Sequence, residues 1–85
     1  MAKESVTVIF QVHNRNQAFD VEIPLNITAN ELVSALNTAY NLGIDTTNVK
    51  NCYLTAENPV ALLKGNRLLA DFGIYNGTII HLTEA

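Results

Sequence analysis

The chain has 85 residues, 48% hydrophobic and 15% charged, with 5 Lys and Arg against 8 Asp and Glu for a net charge of −3. Such a length supports one compact domain, 1–85 with an ordered core expected over about 5–83, and is too short for a deep catalytic cleft. The basic residues Lys3, Arg15, Lys50, Lys64 and Arg67 are scattered, so no basic patch is available and nucleic acid is excluded as an expected partner.

From Val6 the pattern alternates strictly. Val6, Val8, Phe10 and Val12 fall on one face and Thr7, Ile9, Gln11 and His13 on the other, which predicts a half-buried strand. Asn14-Arg15-Asn16-Gln17 reads as a polar turn. Phe19, Val21 and Ile23 then alternate with Asp20 and Glu22 up to Pro24, whose missing N–H suits a strand end. The two runs predict a hairpin.

A helix start follows. Thr28 lies three residues before Glu31 at capping-box spacing, and Ile27 and Leu32 stand where a hydrophobic staple places its pair. Leu32, Ala35, Leu36, Ala39 and Tyr40 share one helical face, with Asn30, Ser34, Asn37 and Asn41 opposite. Gly43 is placed for a left-handed C-terminal cap, so the spacing predicts a helix from about Ala29 to about Leu42.

Beyond the connection at 44–49, Cys52-Tyr53-Leu54 predicts a short strand, broken by Ala56-Glu57-Asn58-Pro59, and Val60 to Leu63 another, closed by Lys64-Gly65-Asn66. The turn pair Asn76-Gly77 leads into a final strand, Thr78 to Thr83. Hairpin, helix and further strands make an α+β order.

The segment from Arg67 to Leu82 contains an aliphatic pair, the Asp71-Phe72-Gly73-Ile74 turn, the polar turn Asn76-Gly77 and an aliphatic strand. In that order it resembles the last segment of ubiquitin-like β-grasp domains, and Val6 to Leu82 can be laid along that fold. The resemblance implies a mixed sheet of about four to five strands, with the first and last parallel at its centre and one helix packed across one face. Phe72 departs from ubiquitin, where a Tyr hydroxyl helps tie the turn down, so packing must hold the turn here. Within the superfamily, Phe19 to Pro24 and Asn66 to Asp71 are similar to the small YukD/EsaB proteins of Gram-positive type VII secretion loci.

That resemblance implies a non-enzymatic accessory or regulatory protein of a bacterial type VII (ESX/Yuk-like) secretion system, docking non-covalently on components of the secretion machinery. The sequence ends Thr83-Glu84-Ala85, without the Gly-Gly through which ubiquitin and sulfur carriers act, so conjugation is not expected. The alternative is a modifier or sulfur carrier with a processed or atypical C-terminus. The residues 1–4 lack the apolar run of about 7–15 residues of a signal peptide. No stretch reaches the roughly 20 apolar residues of a membrane span. A single Cys fits a reducing compartment. The expected location is therefore the cytoplasm, without membrane insertion.

Candidate chemistry is sparse. Cys52, the lone thiol, reads as a small core residue, since a nucleophile would need a base and a lowered pKa. His13 and His81 read as surface histidines, and a pair with no clustered Cys or carboxylate makes an incomplete zinc site. Glu31 has a capping role and Asp71 begins a turn. The Asp71-Phe72-Gly73 match to a kinase motif lacks every accompanying element. Gly65, Gly73 and Gly77 sit in separate turns, so no phosphate loop is present. No catalytic residue, metal site or cofactor is expected. The one feature above this background is the face of the sheet turned away from the helix. Ile9, Gln11, Tyr53, Ile79 and His81 would form a mixed apolar and aromatic patch there, a candidate surface for a protein partner or for a homodimer.

Overall fold

A computed structural model of the chain describes residues 4–44 and 53–82. The elements are β1 (Ser5–Val12), β2 (Gln17–Pro24), α1 (Ala29–Tyr40), β3 (Leu54–Glu57), β4 (Ala61–Leu63) and β5 (Ile79–Leu82). Short 3₁₀ turns lie at His13–Arg15 and Leu69–Phe72. They build a five-stranded mixed sheet in the order β2-β1-β5-β3-β4, the topology the resemblance implies.

β1 behaves as its alternation predicts: Val8, Phe10 and Val12 are buried, while Ile9 and Gln11 on the other face are half-buried. It pairs antiparallel with β2, from Ser5 opposite Pro24 to Val12 opposite Gln17, and parallel with β5, from Ile9 beside Ile79 to Val12 beside Leu82. The buried residues of β1, β3, β4 and β5 join Leu32, Val33 and Leu36 of α1 in one core. The Tyr40 ring at the end of the helix packs 5.6 Å from that of Phe10 and 4.7 Å from that of Phe19. Among the described residues, α1 therefore lies across one face of the sheet and no element covers the other, open face.

The helix start is local chemistry. Thr28 Oγ1 accepts from the Glu31 N–H at 3.1 Å, and Glu31 Oε1 accepts from the Thr28 N–H at 2.8 Å, a complete capping box. Segment 65–69 holds the same turn: the N–H groups of Ala29 and Asn30 donate to the carbonyls of Arg67 and Gly65, and that of Leu69 to Ile27. Thr28→Ala is expected to lower stability by about 1 kcal/mol in chemical denaturation. Glu31→Gln, which keeps an acceptor at the third helical position, is expected to cost less.

Three expectations need correction. The helix ends at Tyr40 with Asn41 as its left-handed cap (φ 54°), not at Leu42 with Gly43. Asn37 is the reason, because its side chain bonds both the N–H and the C=O of Ile44 and draws the chain back before Gly43. Arg15 reinforces that end by donating to the carbonyls of Tyr40 and Asn41 at 2.9 and 2.7 Å, a cation at the negative pole of the helix.

The inward stripe is Ala29, Leu32, Val33 and Leu36; Ala35 and Ala39 are exposed. Alanine, the best helix former, loses little by facing water. Third, β3 runs through Ala56 and Glu57, which pair with β5, and the break comes at Asn58 (φ 58°). Cys52, the predicted start of that strand and a predicted core residue, lies outside the described residues.

Near the end of the chain, Phe72 is partly buried and packs against the core. The Arg67 guanidinium sits 5.0 Å above the centre of its ring. β4 begins at Ala61, leaving Val60 in the turn, and β5 begins at Ile79, one residue after the buried Thr78.

Candidate functional site

Directly paired strand residues point to the same side, so the register fixes what the open face displays. One row crosses the whole sheet: Ala18, Gln11, His81, Thr55 and Leu62. The next row is Asp20, Ile9, Ile79 and Glu57, and beyond it Glu22 stands opposite Thr7. Ile9 and Ile79 are thus side by side on the two central strands, both half-buried, with carboxylates at each end of their row.

Four of the five patch residues expected from the sequence, Ile9, Gln11, Ile79 and His81, come together in these two rows. Tyr53 precedes β3 and is half-buried, outside the paired part of the strand. Sequence reasoning missed Leu62, which is 50% exposed and closes the His81 row at the sheet edge. Its signal was present, since a strand that buries Leu63 must turn the adjacent leucine outward.

His81 departs from the expected surface position, whereas His13 keeps it. His13 is exposed, but only 14% of the His81 side chain is accessible. His13 Nε2 lies 2.7 Å from His81 Nδ1, and His81 Nε2 lies 2.7 Å from Glu57 Oε1. The carboxylate that the sequence did not supply to the pair therefore comes from β3. The three groups form a chain and not a cage, because His81 turns one nitrogen to each neighbour. Among the described residues no group of three or more His, Cys, Asp or Glu is placed to hold a metal ion. Beside His13 a shallow polar groove is lined by Gln11, Val12, His13, Asn16, Gln17 and Ala18.

The face is acidic at its borders, through Asp20, Glu22 and Glu57, while Arg15 is turned to the end of the helix. Among the described residues no helix is long and apolar enough to cross a membrane.

Several solved structures share this fold. The ubiquitin-like domain of tubulin-binding cofactor B superposes with a TM-score of 0.72 at 18% identity, over 94% of this chain and 89% of that one. The C-terminal ubiquitin-like domain of mouse tubulin-specific chaperone e gives 0.68 at 13% identity, over 95% and 87%. The UBL domain of Plasmodium falciparum Dsk2 gives 0.60 at 20%, over 92% and 97%. At these identities the likeness shows the fold alone, a ubiquitin-like β-grasp. Comparison with curated proteins returned no match. The profile of the family described as "WXG100 protein secretion system (Wss), protein YukD" matches residues 6–82, which takes in every strand from Val6 to the end of β5, and the chain belongs to that YukD family of ubiquitin-like secretion-system proteins.

Proposed function

We propose that this chain is a non-enzymatic accessory or regulatory protein of a WXG100 secretion system, acting in the cytoplasm by non-covalent docking on other proteins of that system. Family membership supplies the pathway. The docking surface rests on one observation: Ile9 and Ile79 adjoin on the open face, with Leu62 exposed at its edge and carboxylates around them. An apolar centre with a charged rim is the usual anatomy of a protein interface. The acidic rim favours a partner with basic residues around an apolar anchor.

The test is pairwise binding of the full chain to the other products of its secretion locus, compared with a Leu62→Asp, Ile79→Thr double variant. Thr is a good strand former, and Leu62 is exposed on the edge strand β4, where a charge is tolerated, so the melting temperature is expected to stay within about 5 °C. Affinity for the partner should fall by about 30-fold or more, the effect of removing central apolar anchors. Undiminished binding by a folded variant would remove the open face from consideration. A dimer of this chain that the same variant dissociates would reassign the face to self-association. Adducts that survive denaturation through an isopeptide bond would replace docking with conjugation.

A further inference from the structure

We propose that Glu57, His81 and His13 form a proton-gated clasp on the open face of the sheet. It is closed while the two imidazoles together carry at most one proton beyond their neutral state, and open when both are cationic. The proposal concerns the free protein and stands whether or not the open face docks a partner.

The proton count follows from the geometry. Two ring nitrogens 2.7 Å apart must hold one hydrogen between them, one donating and the other accepting. On the far side of His81, the Glu57 carboxylate can only accept while ionised, so the N–H belongs to His81 Nε2. Neutral His81 then has a bare Nδ1, and the hydrogen in the shared contact comes from His13 Nε2. A first added proton is accommodated: placed on His13 Nδ1, it leaves a cationic donor facing a neutral acceptor. A second has no such place, because both facing nitrogens would carry a hydrogen and both rings a charge.

The ring that leaves is His13. His81 is held within β5 and bonded to Glu57, whereas His13 stands exposed on a 3₁₀ turn after β1. The clasp joins residues 68 and 24 positions apart, linking the end of β1 to β5 and to the last residue of β3.

Few other described charges compete. Gln11 and Thr55 flank His81 in its row and carry none. Asp20 is one row away and Glu22 lies beyond it. Arg15 is committed to the helix carbonyls, the Tyr53 phenol precedes β3, and Lys64 follows β4. Opening would place two positive charges on a face otherwise bordered by carboxylates.

The experiment is a long-range ¹H–¹⁵N imidazole titration of the full chain from about pH 8 to about pH 5, with backbone amide spectra confirming each variant's fold. At the upper end His81 is expected in one fixed tautomer, with its hydrogen on Nε2. The second proton taken up by the pair should part the rings, so the β1–β5 amides nearest His13 should move with that step and not with the first. In His13→Gln, whose amide can still donate to His81 Nδ1 but takes up no proton, His81 should titrate in a single step. Glu57→Gln, whose amide can donate as well as accept, should free His81 to populate both tautomers. Independent titration of His13 and His81, with the His81 midpoint unchanged in His13→Gln, would overturn the clasp. So would a tautomer indifferent to Glu57→Gln.

Discussion

Phe10→Ala is expected to destabilise the domain by about 3–5 kcal/mol, the range for removing a fully buried aromatic side chain. A chain of this size has a total stability of about 4–13 kcal/mol, so the loss is a large share of it and the urea midpoint should fall steeply. The reason is position as much as size. Phe10 is 0% exposed on β1, which lies between β2 and β5, and it pairs with Phe19 on one side and Ile80 on the other. Its ring also meets Tyr40 at the end of α1, so it joins helix and sheet. The internal control is its neighbour. Ile9→Ala, on the open face, should cost about 1 kcal/mol, because the side chain is already partly in water. Urea denaturation of the two variants checks the contrast, and equal losses would mean that the two faces of β1 have been assigned wrongly.

A second large effect is expected at Thr78, the one buried polar side chain among the described residues. Its hydroxyl donates to the Asn58 carbonyl at 2.7 Å and accepts from the Tyr75 N–H at 3.1 Å, fastening the β3–β4 turn to the entry of β5. The backbone on either side is tied to β1, through Ile9 N–H to the Thr78 carbonyl and Gly77 N–H to that of Thr7. Thr78→Val keeps the shape and adds apolar surface, yet it leaves two polar partners unsatisfied. A loss of about 2 kcal/mol is expected. The melting temperature should fall by about 10 °C. Thr78→Ser loses a buried methyl but keeps both bonds and should cost about 1 kcal/mol. Valine less stable than serine at a fully buried site reverses the hydrophobic order, and a thermal melt of both variants decides it. Valine as stable as the wild type would show that the hydroxyl contributes nothing there.

The site and the fold are separable in this molecule. The large stability effects fall on the helix side of the sheet and at the strand entries, whereas the docking variants lie on the open face. Substitutions at Leu62 and Ile79 can therefore test binding in a domain that still folds, which is what makes the proposed function answerable. The histidine clasp shares the open face but not its apolar centre, so proton uptake can be followed without any partner.

The sequence by itself determined the features whose causes are local. Alternation in β1 and β2 follows from a side-chain period of about two residues, and the capping box of Thr28 and Glu31 needs only three residues of separation. The order of these elements, with the resemblance carried by Arg67 to Leu82, pointed to the β-grasp, and Phe19 to Pro24 with Asn66 to Asp71 pointed to the YukD family.

Tertiary structure decided what depends on distant partners. The sequence pointed to Gly43 as the cap of α1, but Asn41 takes that place, through the contacts of Asn37 and Arg15 at the helix end. Val33 was buried and Ala35 and Ala39 were exposed because the edge of a helical stripe is set by what packs on it. The extent of β3 followed from its two neighbouring strands. Leu62 joined the open face through register, and His13 met His81 across 68 residues because parallel pairing of β1 with β5 brings their ends together, a contact that no local pattern encodes.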